Sequence, residues 1–121
     1  MTPEVLLRVN ATVLDGRAEV RDPGLVASAA DRPHLTMSGS EAYPTIEEKA
    51  AALIHAIVRT RPFLRGNKRT AWVAARLMLS CHSKRPGCTA TEANDLFQRL
   101  WTDDDDLTVS DIVKRLQIVE F

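Results

Sequence analysis

Apolar residues recur at helical spacing along almost the whole chain. Val5, Leu6, Val9 and Val13 follow Thr2-Pro3-Glu4, which reads as a capping threonine, a proline at the first helical position and an early acid. Asp22-Pro23 repeats that start signal, with Leu25, Val26 and Ala29 as the buried stripe of a short second helix. Between Pro33 and Pro44 the periodicity fails, and His34 to Ser40 reads as a loop or a small hairpin flap. Thr45-Ile46-Glu47-Glu48 is a capping box, and the helix it opens carries Ile46, Ala50, Leu53, Ile57 and Val58 on one face. That helix must break near Arg61-Pro62, because the residue before a proline is pushed out of the α region. A further helix begins at Asn67, and its body from Ala71 to Leu79 is apolar on nearly every side, as befits the centre of a bundle. Thr91 opens a helix containing Ala93, Leu96, Phe97 and Leu100, and Ser110 opens the last, with Ile112, Val113, Leu116 and Ile118. The pattern predicts an all-α, single-domain helical bundle over residues 1–121, with a short flap and a central buried helix starting at Asn67.

Composition narrows this reading without changing it. A chain of 121 residues is long enough to bury a core without disulfides, and only 5 glycines and 6 prolines argue against an all-β chain of many tight turns. No apolar run is long enough to span a bilayer, and Met-Thr-Pro-Glu lacks the basic-then-apolar plan of a signal peptide, so a cytoplasmic protein is expected. Cys81 and Cys88 read as free thiols.

The net charge of zero conceals a strong segregation. Residues 1–49 and 92–121 are acidic on balance, whereas residues 50–91 hold eight basic groups and no acid. A carboxylate-free cationic block in a neutral protein asks for an anionic partner, and the overall neutrality favours a local anion site over coating by nucleic acid.

The block converges on Gly66-Asn67-Lys68-Arg69. Cations in the first turn of a helix are normally disfavoured, since that end already carries about half a positive charge. Lys68 and Arg69 occupy that turn, with Arg61 and Arg65 in the loop entering it. A docked anion would resolve the conflict: free N–H groups at the helix start, close approach at Gly66 and side-chain cations together make a phosphate cradle. Asn67 is expected to cap the helix and to donate to the anion. The alternative is that these charges splay into solvent at a bundle end.

The run Arg61-Pro62-Phe63-Leu64-Arg65-Gly66-Asn67-Lys68-Arg69 resembles the signature loop of the Fic/Doc family, His-Pro-Phe, two residues, Gly-Asn, Gly or Lys, Arg. Lys68 brings it nearer the Doc-type branch, and the Arg32-Pro33, Tyr43-Pro44 and Lys49–Leu53 segments extend the likeness over most of the chain. The resemblance implies a Fic/Doc-like fold and a toxin restrained by a small antitoxin protein. It also implies transfer of AMP or phosphate from ATP to a hydroxyl of a protein target such as a translation factor. Gly66, Asn67 and Lys68 would then form the anion hole and Arg69 would hold a nucleotide phosphate, with Arg61, Lys68 and Arg69 in the catalytic positions. Phe63 would anchor the loop, and the flap at Thr36, Met37, Ser38 and Gly39 would align the target by strand addition.

Two departures fall on the chemistry. Arg61 replaces the family's catalytic histidine, and a guanidinium with a pKa above about 12 cannot act as a base near neutrality. Arg65 replaces the residue that helps to hold Mg²⁺, and block 50–91 offers no carboxylate in its place, so no metal site is predicted. One account is impaired catalysis, or a non-catalytic module whose cradle binds a nucleotide or a phosphorylated partner. The other lets Arg61 and Arg65 replace the metal electrostatically. Among lesser features, Cys81, His82 and Cys88 lack zinc-site spacing. His55 reads as a surface histidine, Trp72 and Trp101 as core, and Asp103 to Asp106 as a solvated loop.

Overall fold

The computed structural model describes residues 1–102 and 106–121, so the aspartates at 103–105 lie outside the described residues. Helix α1 (Pro3–Val13) starts where the Thr2 hydroxyl accepts from the Val5 N–H at 3.2 Å. Helix α2 (Pro23–Asp31) starts where the Asp22 carboxylate accepts from the N–H groups of Gly24 and Leu25. Proline at the first helical position costs nothing in either, because that N–H has no intrahelical partner. A 3-10 turn (Arg32–His34) leads to a two-stranded hairpin, β1 (Thr36–Met37) against β2 (Ser40–Glu41), with Thr36 opposite Glu41 and Met37 opposite Ser40. Ser38 (φ 53°) and Gly39 (φ 81°) form its two-residue turn, whose left-handed geometry matches the twist of the strands.

Helix α3 (Ile46–Thr60) is capped by Thr45, which accepts from the Glu48 N–H at 3.1 Å and donates its own hydroxyl to the Glu48 carboxylate at 2.9 Å. It ends at Arg61 in the left-handed conformation (φ 52°) ahead of Pro62. Helices α4 (Asn67–Ser80), α5 (Ala90–Thr102) and α6 (Val109–Leu116) follow. A second short ribbon pairs β3 (Lys84–Arg85) with β4 (Val119–Glu120).

The most enclosed helix is α3, with residues 50–54 and 56–58 all buried. This corrects the assignment of the central role to α4, which exposes Arg76 and Leu77 and only half-buries Trp72 and Val73. Alanines at 50, 51, 52 and 56 let neighbouring elements approach α3 closely on several sides, which a run of larger apolar residues would prevent. Two helix starts also differ from expectation. The caps are Thr89, which exchanges bonds with Glu92, and Thr108, which does so with Asp111, rather than residues at or beside Thr91 and Ser110. Gln117 in the left-handed region (φ 50°) stops α6, which leaves Ile118 outside the helix at the entry to β4.

Candidate functional site

The loop from Arg61 to Gly66 joins the two best-packed helices and is held from three directions. At the C-terminal end of α3, where helix carbonyls concentrate negative charge, the Arg21 guanidinium donates to the carbonyls of Thr60 and Arg61, both at 2.6 Å. The Arg21 N–H also donates to the Pro62 carbonyl at 2.8 Å, and Val20 pairs with Phe63 as an antiparallel bridge. Phe63 is 1% exposed, so the expectation that it anchors the loop is met.

The second hold is Asn67. Its side-chain carbonyl accepts from the Phe63 N–H at 3.0 Å and its amide donates to the Phe63 carbonyl at 2.9 Å. Asn67 therefore does not cap α4; Gly66 occupies the cap position with φ 79° and no side-chain bond. The buried Asn67 side chain is spent inside the loop, and only its backbone N–H remains to offer a ligand.

Sequence reasoning missed the third hold, Asn10. It is fully buried on α1, donates to the Arg65 carbonyl and the Thr70 hydroxyl at 3.1 Å each, and accepts from the Glu19 N–H at 2.9 Å. One amide thus fastens α1 to the segment that follows it and to the loop and first turn of α4, 55 and 60 positions away. A Cβ on Gly66 would stand 3.0 Å from Leu14 and 3.3 Å from the Asn10 amide, so glycine answers both the positive φ and the close packing of α1.

On this frame, the first intrahelical bond of α4 runs from the Thr70 N–H to the Gly66 carbonyl at 2.8 Å. The N–H groups of Asn67, Lys68 and Arg69 have no acceptor within the helix, as at any helix start. They sit beside an open depression of about 330 Å³ lined by Leu64 to Arg69 and Trp101.

The four cations of the loop have different circumstances. Arg61 stacks on Trp101, its guanidinium carbon 3.6 Å from the indole centroid, and donates to the Trp101 carbonyl at 2.5 Å. Arg65 is 2.8 Å from the Glu19 carboxylate, and this guanidinium holds the Glu19 pKa below its ordinary value of 4.5. The carboxylate absent from block 50–91 is thus supplied from the α1–α2 connection, but it is taken by a guanidinium. Lys68 also faces Trp101, at 4.7 Å from the centroid, and donates to the Gln98 side chain at 3.2 Å. Arg69 is exposed and makes no ion pair or hydrogen bond through its side chain among the described residues. Trp101 is accordingly a half-buried wall of the depression as well as a neighbour of the core, which corrects its reading as core alone.

The flap residues Thr36, Met37, Ser38 and Gly39 are all exposed, Met37 at 65%. Lys49 in the first turn of α3 roots the hairpin by bonding to the Glu41 carboxylate and the Tyr43 carbonyl. The loop instead follows the last turn of α3, and no hydrogen bond or ion pair joins flap to loop among the described residues. His55 is half-buried rather than on the surface. Burial first, then Arg59 and Arg32, lowers its pKa below the ordinary 6.5. Among the described residues, no three His, Cys, Asp or Glu side chains converge as a metal site. The donor set around Arg65 does not fit Mg²⁺, since a guanidinium is bound where a ligand oxygen is needed.

A cationic helix start, a clasped glycine-asparagine loop and an exposed hairpin define a class, and comparison with known proteins agrees. The Fic/DOC family model matches residues 1–79, and the chain belongs to that family. It is also 37% identical over 106 residues to Toxin Doc of Mycolicibacterium smegmatis, a span covering 86% of this chain and 82% of that protein. Among the described residues, no helix is long and apolar enough to cross a membrane.

Proposed function

We propose that this protein is a Doc-like toxin of a toxin–antitoxin pair, acting in the cytoplasm and held in check by a small antitoxin. Its site grips the phosphates of ATP, and its transfer of AMP or phosphate to a protein hydroxyl, such as one on a translation factor, is impaired. The phosphates lie against the N–H groups of Asn67, Lys68 and Arg69, with the Lys68 and Arg69 side chains supplying charge. The observation that carries this reading is the state of Arg61. A guanidinium stacked on Trp101 and bonded to its carbonyl cannot take a proton from an incoming hydroxyl. Loss of a general base alone slows such a reaction roughly 10²–10⁴-fold. Arg65 cannot substitute for a metal while its charge is matched by Glu19.

The same integration of Arg61 into the packing favours a second reading, a non-catalytic module that binds a nucleotide or a phosphorylated partner. Both readings are tested by mixing the pure protein with labelled ATP, Mg²⁺ and cell lysate. ATP is expected to bind without labelling any protein, and Arg61→His with Arg65→Asp is expected to introduce labelling. Robust labelling by the unaltered chain, abolished in Arg69→Ala, overturns impaired catalysis. Labelling by the double variant favours a degenerate toxin over a module that never catalysed.

A further inference from the structure

Arg65 and Lys68 line the same depression, and each is held there by a different kind of partner. Arg65 lies 2.8 Å from the Glu19 carboxylate, which cancels the charge it would offer a ligand. Lys68 has no carboxylate partner among the described residues. Its ammonium lies over the Trp101 ring, 4.7 Å from the centroid, and donates to the Gln98 side-chain oxygen at 3.2 Å. Gln98 and Trp101 are both uncharged and share one face near the C-terminal end of α5.

A lysine in the first turn of a helix has two reasons to swing away. The positive end of the dipole repels its charge, and its long flexible stem loses rotamer freedom wherever it is fixed. A carboxylate would hold it against both effects but would also neutralise it. An indole face and an amide oxygen hold an ammonium through a quadrupole and a dipole, so its net charge is left intact. Lys68 is half-buried, which keeps water from screening that attraction fully. The ammonium therefore stands at the rim of the depression at full charge, with part of its ordering cost met before any anion arrives.

We infer that Trp101, with Gln98 beside it, is a positioning residue for anion binding: its ring fixes Lys68 at the depression without neutralising it. Trp101 has this role only if the depression takes phosphates, as proposed above. It acts through Lys68, so its effect on binding must vanish where Lys68 is absent. Arg61 stacks on the same ring, but its hydrogen bond runs to the Trp101 backbone carbonyl, an acceptor that remains whatever side chain stands at that position.

The test joins a proton spectrum without nucleotide to calorimetric titration with ATP. In the unaltered chain the Lys68 ε-methylene protons should resonate upfield in the indole ring current, a shift reduced but kept in Trp101→Phe and lost in Trp101→Leu. Trp101→Leu should weaken ATP binding about fivefold, and Trp101→Phe should keep most of the affinity. In a Lys68→Met background, Trp101→Leu should change the affinity by less than about 1.5-fold. Gln98→Glu, at an exposed position, gives Lys68 a carboxylate and should weaken ATP binding although it ties the lysine more firmly. The role is overturned if the ring-current shift is absent, if Trp101→Leu binds ATP like the unaltered chain, or if the Trp101→Leu and Lys68→Met losses add. Should Trp101→Leu unfold, Gln98→Glu decides: unchanged or tighter ATP binding overturns the role. An unaltered chain that shows the shift but binds no ATP overturns the phosphate reading, and the role falls with it. One that binds ATP but fails the other tests overturns the role of Trp101 alone.

Discussion

The two halves of the loop before α4 carry the same charge and use it differently. Arg61 and Arg65, on the entering side, are each committed to a protein partner, the Trp101 ring and carbonyl for one and the Glu19 carboxylate for the other. Lys68 and Arg69, in the first turn of the helix, border the open depression, and Lys68 makes only one neutral hydrogen bond there. Counted along the chain, these are four equivalent cations at the positive end of a dipole. In three dimensions the first pair is engaged by the protein, whereas Lys68, which also faces Trp101, and Arg69, with no ion pair among the described residues, border the open depression. A cluster of cations in sequence is therefore an upper bound on the charge a site can offer.

The strongest way to break this contrast is to remove the amide that fastens both halves to α1. Asn10→Ala leaves the Arg65 carbonyl, the Thr70 hydroxyl and the Glu19 N–H without their partner in a buried place. Denaturant unfolding should show a loss of about 2–4 kcal/mol, given the cost of orphaned buried polar groups. A loss below about 1 kcal/mol would mean that the loop holds its shape without α1.

A smaller effect separates the halves directly. By calorimetry, Arg69→Ala should weaken ATP binding about tenfold, the loss of one charge-assisted contact, while Arg65→Ala should change it by less than about threefold. Equal losses would erase the distinction between committed and available cations.

The smallest expected effect concerns acid. Arg65 depresses the Glu19 pKa in the folded chain, so the unfolded chain binds the proton more readily. The pair's contribution is present above the ordinary carboxylate value of 4.5 and is lost as pH falls through the depressed folded value. Stability followed from about pH 6 to about pH 3 should fall less steeply in Glu19→Gln. An unchanged profile would show that Arg65 owes its position to the backbone rather than to Glu19.

Much of the fold was legible because its signals are local. Thr2-Pro3, Asp22-Pro23 and Thr45 with Glu48 mark three helix starts within a few residues each, and Arg61-Pro62 marks one end. Thr89 with Glu92 and Thr108 with Asp111 use the same device, so those two starts were within reach of the rule applied to Thr45. Other features had no local trace. A buried asparagine on α1 looks like any polar residue in a helix until Arg65, Thr70 and Glu19 arrive around it. The central place of α3 depends on how many neighbours its alanines admit, and a stripe of apolar residues does not count neighbours.

Three helix starts, the end of α3, the flap, the cationic loop and the family were legible in the sequence alone, because capping, proline geometry and a contiguous motif act over a few residues. Which cations are spent, which carboxylate reaches Arg65 and where Trp101 stands were decided only by the tertiary structure. Those outcomes depend on side chains 30 to 60 positions apart meeting at distances under 5 Å, and electrostatics and hydrogen bonding respond to that separation rather than to order along the chain.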